Sequence, residues 1–129
     1  MDVISRAANL TQKADESLGD AERLIDGRSF DIAALRCYHA VFFSLRAYLI
    51  KKAIIVEKKS DSIRFFQESV KQNDSEDALS DLSFVMRLNG YQDPAIEVSE
   101  TSVLEGFQRA ERFYHFTIEN SITNGVTNE

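Results

Sequence analysis

Scarcity is informative in this chain, which has one cysteine, one proline, no tryptophan and two histidines in 129 residues. A lone Cys37 closes no intramolecular disulfide and builds no cysteine-based zinc site. One proline, Pro94, and five glycines are too few turn-formers for a many-stranded β fold, so long helices are favoured. The histidines, His39 and His115, lack HxxxH or HxxE spacing, so no metal site is expected. No glycine-rich phosphate loop and no GxSxG turn occurs, and no cofactor is called for. No run reaches the ~18 apolar residues of a membrane span. The opening MDVISRAANL has no apolar secretion core, and the expectation is a cytoplasmic protein.

Positive charge is also in deficit. The net charge is −6 and the isoelectric point near 4.9. Such a surface repels phosphates at long range and argues against a general nucleic-acid binder. A local basic patch remains compatible with it. KKAIIVEKKSDSIR, with Lys51, Lys52, Lys58, Lys59 and Arg64, is such a stretch. A run of this kind is more often a solvated loop than a phosphate site.

With 43% hydrophobic residues, the chain has enough apolar material for one domain with a real core. Val3, Ala7, Leu10, Ala14, Leu18, Ala21 and Ile25 recur in steps of three and four, which predicts a helix over about 2–26. The turn DGRS is expected to break it at Gly27, with Ser29 or Asp31 capping the next helix. That second helix, about 30–53, is apolar nearly all round and therefore surrounded by protein. Phe42 and Leu45 are expected in its buried part. Further helices are predicted over about 60–72, 76–88 and 99–122. The expected architecture is an all-α, up-and-down bundle of four to five helices over residues 1–122, followed by a polar tail, 123–129. The apolar circumference of the central helix predicts a homodimer that buries the excess.

Arg36, His39 and Arg46 fall on one side of the central helix. One reading is a polar stripe that binds a nucleotide or RNA phosphate. The bland alternative pairs each arginine with a carboxylate such as Asp31, Asp81 or Glu111.

RSFDIAALRCYHAVFFSLRAYLI resembles the central helix of the HEPN family (higher eukaryotes and prokaryotes nucleotide-binding domain). The match lies at Phe30, Asp31, Ala33, Arg36, Tyr38, Ala40 and Phe42. It departs at His39, where a second tyrosine is usual, and at Phe43, where a histidine is usual. ALSDLSFVMR, VMRLNGYQDP and AERFYHFTIE are similar to later parts of the family pattern. The resemblance implies a HEPN-type helical bundle, a homodimer, and often a minimal nucleotidyltransferase partner in toxin–antitoxin or defence pairs.

Ribonuclease members of the family carry an arginine followed, after four to six residues, by a histidine. The arginine neutralises phosphate while the histidine moves the proton at the ribose or the leaving oxygen. Counted from Arg87, the permitted positions are Gln92, Asp93 and Pro94, and none is histidine. The resemblance therefore implies a non-catalytic member. The alternatives are a degenerate ribonuclease using Arg87 with Asp93 or Arg36 with His39, and a nucleotide-binding module using Arg36, Arg46 and Arg87. Arg109 and His115 have the ribonuclease spacing, but they lie inside the last helix, about 120° apart in azimuth. Arg87 is expected at a helix C-terminus, facing the dimer cleft, with Asp93 across the turn.

Overall fold

The computed structural model describes residues 2–54, 56, 58–73, 76–88 and 98–126, with side chains described outside 71–73 and 121–126. Five helices follow one another: α1 (Val3–Asp26), α2 (Phe30–Lys51), α3 (Lys59–Asn73), α4 (Glu76–Leu88) and α5 (Glu100–Val126). The fold is all-α, as the periodicity predicts, and α5 continues past the Ile122 at which its apolar pattern ends. None of the described helices is long and apolar enough to cross a membrane.

Capping fixes where the helices start. The Asp2 carboxylate accepts the Ser5 N–H at 2.7 Å and opens α1. The Ser99 hydroxyl accepts the Ser102 N–H at 3.1 Å and opens α5. Ser29 occupies the N-cap of α2 without a side-chain bond. Asp31 instead accepts the Val98 N–H at 3.4 Å, tying the start of α2 to the approach to α5.

The stops differ from the sequence expectation. Gly27 has φ −84°, and the left-handed residue is Arg28, at φ 62°. Arg28 donates its N–H to Ile25 O at 3.0 Å and Ser29 donates to Leu24 O at 2.8 Å. This is the paired bonding of a Schellman stop, with an arginine at the position glycine usually takes. The same pattern ends α2 two residues before the expected Ala53. Ala53 sits at φ 62°, its N–H reaches Ile50 O at 2.9 Å, and Ile54 reaches Leu49 O at 2.9 Å.

Contacts give the directions of the helices. Ala7 and Leu10 meet Ala47 and Ile50, while Leu24 and Ile25 meet Phe30, Ala33 and Ala34. Thus α1 and α2 form an antiparallel hairpin. Asp81 meets Arg112, and Leu88 lies against Gly106, so α4 and α5 are antiparallel too. Helix α3 runs alongside α2 in the same direction, with Lys59 at Tyr38 and Ser69 and Phe66 at Tyr48.

Central placement of α2 is evident from burial: 12 of its 22 residues are buried, against six of 24 in α1. Tyr48, Phe66, Phe113 and Phe116 form an aromatic knot of α2, α3 and α5, with ring centroids 5.2–6.3 Å apart. Leu45 is fully buried, as expected. Phe42 is only partly buried, contrary to the expectation. It lies on the rim of α2, stacked on Tyr38 at 6.1 Å and capped by the Lys59 ammonium at 5.9 Å. Burial of α2 is therefore incomplete along one stripe, which carries Arg36, His39, Phe42, Phe43 and Arg46.

Candidate functional site

Ion pairing sorts the arginines into two groups. Five of the nine are paired: Arg23 with Asp20, Arg28 with Glu100, Arg64 with Asp61, and both Arg109 and Arg112 with Asp81. Among the described residues, Arg6, Arg36, Arg46 and Arg87 carry no ion pair. Three of these four are the arginines singled out from the sequence. The carboxylate partners weighed for them lie elsewhere: Asp31 is turned to Val98, and Asp81 is held by α5.

The sequence candidates do not converge on one point. Arg36 and His39 touch, with guanidinium Nη1 3.4 Å from imidazole Nδ1. A guanidinium only donates, so Nδ1 accepts and the ring proton sits on Nε2. Burial, and then the Arg36 charge, hold the His39 pKa below its ordinary value of 6.5. The imidazole is thus neutral at pH 7, but its lone pair is occupied by Arg36. Tyr38 and Phe43 flank it, at ring distances of 5.9 and 6.2 Å.

Arg46 lies about two turns beyond His39 on α2. It lines a small recess with Arg6 of α1, Leu49, Ile50, Ile54, Val56 and Ser62. Arg6 had no distinguishing motif. Its only signal is that it precedes Ala7 on α1 and shares a helix side with Lys13, seven residues on.

Arg87 lies apart from these, in a groove of about 910 Å³ between α3 and α4. Ile63, Leu79, Leu82 and Met86 supply the apolar floor, and Arg64, Glu68, Ser83 and Arg87 the polar rim. Arg87 occupies the last turn of α4, where exposed carbonyls favour a cation, and it donates to the Ser83 hydroxyl at 2.5 Å. Asp93, its expected partner, lies outside the described residues, as do Asn89, Gly90, Tyr91, Gln92 and Pro94.

The Arg109–His115 spacing has a structural explanation. Arg109 faces α4, bonded to Ser80 Oγ at 3.1 Å and to Glu105 at 3.0 Å, and it lies 4.5 Å over the Phe84 ring. His115 is exposed beside Tyr114. Cys37 is fully buried, and that burial pushes its thiol up to about 12, which removes it as a nucleophile. Among the described residues, no three metal-ligating side chains gather.

Residues 7–121, which take in nearly all of the five helices, fit a known family, the HEPN domain. The chain belongs to the HEPN domain family. A curated protein of Methanocaldococcus jannaschii, named "Putative toxin MJ0142", is 33% identical to this HEPN chain over 66 residues. That match spans 50% of this chain and 45% of the relative, so the chain covers about half the length of the relative it matches.

Proposed function

We propose that this HEPN protein is a non-catalytic, cytoplasmic member that partners a minimal nucleotidyltransferase in a toxin–antitoxin-like or defence pair. The observation that carries this is at Arg87. No histidine follows at Gln92, Asp93 or Pro94, and the guanidinium rests on Ser83 of its own helix. Phosphate neutralisation is available there without the histidine that would serve as general acid and base beside it in sequence. The toxin name of the archaeal relative supports a role in such a pair.

A homodimer fits this reading. The α3–α4 groove has an apolar floor, and its rim is close to charge-balanced, since Arg64 is paired with Asp61 and Glu68 lines the same groove as Arg87. A two-fold axis lays a patch on its own copy, which such a surface tolerates.

Purified protein is expected to leave single-stranded RNA intact relative to a no-protein control. It is expected to co-purify with a minimal nucleotidyltransferase co-expressed from its own genome. Metal-independent cleavage that vanishes in folded Arg87→Ala would overturn the proposal.

The Arg36–His39 contact favours a second reading, an unconventional ribonuclease. A substrate phosphate that drew Arg36 away would release the Nδ1 lone pair of a neutral imidazole, creating a base beside the bound anion. Cleavage lost in His39→Ala but kept in Arg87→Ala would select it.

A further inference from the structure

Charge is left over in the recess between Arg6 and Arg46. Acidic residues outnumber basic ones by 21 to 15 in this chain, so an arginine has carboxylates to choose from. Arg6 and Arg46 hold none among the described residues, yet they line the same recess.

Four parts of the fold meet there. Arg6 comes from α1, Arg46 from α2, Ile54 and Val56 from the connection after α2, and Ser62 from near the start of α3. Arg46 is half-buried and Arg6 is exposed. Ser62 is 3% exposed, and its hydroxyl donates to Lys58 O at 3.3 Å. The remaining lining is aliphatic, so the two positive charges are screened less than they would be in open water. Helix α3 starts at Lys59, between the lining residues Val56 and Ser62, and the positive end of its dipole adds to the same field. No described carboxylate lines the recess.

Size narrows the occupant. The recess has a volume of about 20 Å³, which seats one or two groups the size of a water oxygen. Pockets for nucleoside-sized ligands need ~300 Å³ or more. Guanidinium forks match paired oxygens of a single anion. A compact oxyanion therefore places its oxygens between the two arginines while the rest of it faces solvent.

We propose that this recess is a binding site for a compact inorganic oxyanion, of the size of phosphate or sulfate, which neutralises Arg6 and Arg46 and fastens α1 to α2 and to the start of α3. It lies apart from Arg87 and does not depend on the nucleotidyltransferase reading. An anion that binds only the assembled recess stabilises the fold by mass action.

Thermal melts with inorganic phosphate as the probe, at constant ionic strength, test the site. Wild-type protein is expected to gain roughly 3–6 °C in melting temperature between about 1 and 50 mM phosphate, for a site of millimolar affinity. Arg6→Gln/Arg46→Gln should lose that gain and keep only the general salt response. Should the double variant not fold by circular dichroism, Arg6→Gln, at the exposed arginine, carries the same test with a reduced gain. Glu57, the one carboxylate between Arg46 and Lys59, lies outside the described residues, and Glu57→Gln should leave the gain in place. Adenosine monophosphate should do no better than phosphate at equal concentration. Four outcomes would overturn the proposal: a wild-type melt indifferent to phosphate, an equal gain in the arginine variants, a gain confined to Glu57→Gln, or a much larger gain with the nucleotide.

Discussion

Arg112 of α5 holds both carboxylate oxygens of Asp81 in α4, through Nε at 2.8 Å and Nη2 at 2.5 Å. The pair is lopsided, for the Asp81 side chain is 1% exposed and that of Arg112 is 62% exposed. Arg109 adds a second, longer contact to the same carboxylate at 3.6 Å.

The two single deletions should therefore differ. Arg112→Ala leaves a buried carboxylate with only the longer contact, which costs about 1–3 kcal/mol. Asp81→Ala removes the buried charge and returns Arg112 to water. Urea denaturation should rank Arg112→Ala as the more damaging change, and the reverse order would show that the clamp contributes little beyond packing.

Two glycines inside helices should respond with opposite signs. A Cβ at Gly19 would meet only the Arg23 guanidinium, at 3.7 Å, so Gly19→Ala should stabilise by about 0.5–1 kcal/mol through helix propensity. A Cβ at Gly106 would lie 2.1 Å from Leu88 Cδ2, with Phe84 Cε1 at 3.8 Å. Leu88 would have to turn, and the overpacking outweighs the propensity gain, so a net loss of about 1 kcal/mol is expected. Thermal melts of the two variants measure the difference in sign.

In the core, Leu45→Ala should cost about 2–5 kcal/mol, because its site is fully enclosed. Phe42→Ala should cost less, since the ring is partly exposed and borders on solvent beside Lys59. Chemical denaturation of both variants checks the order. Equal or inverted losses would mean that α2 is turned about its axis relative to the structure described.

His39 predicts a pH dependence. Its folded pKa lies below 6.5, so as pH falls the unfolded chain takes up the proton first. Its stability contribution is intact above the unfolded value and is lost as acid is added below it. Melting temperature should therefore fall from roughly pH 7 to pH 5, and His39→Gln should flatten that part of the profile. A profile unchanged by the substitution would show that other groups set the slope.

The helices were legible because their apolar residues recur every three or four positions, and α2 was legible as central because it is apolar nearly all round. The partners of the charged residues were not. Asp81 stood out as a carboxylate for an arginine of α2, yet the fold gives it to Arg112 and Arg109, 31 and 28 positions later in the chain. Sequence periodicity places a residue on a face but does not say which helix that face meets. Arg6 shows the same limit from the other side. One cation on an amphipathic helix is unremarked until the fold brings Arg46 into the same recess. Phe42 was misjudged because that rim of α2 is covered only by Tyr38 and the Lys59 ammonium and stays partly open.

The stops at Arg28 and Ala53 carry a further consequence. Each holds a side-chain-bearing residue at φ 62°, a conformation that costs an L residue roughly 1 kcal/mol and glycine almost nothing. The protein thus keeps an unspent reserve of robustness at both ends of its central helix. At Arg28 that reserve is partly committed, because the side chain reaches Glu100 at 3.4 Å and lies 5.1 Å over Phe30. At Ala53 no such contact among the described residues offsets it. A lineage selected for heat tolerance would be expected to recruit glycine at position 53 before position 28, leaving the α3–α4 groove untouched.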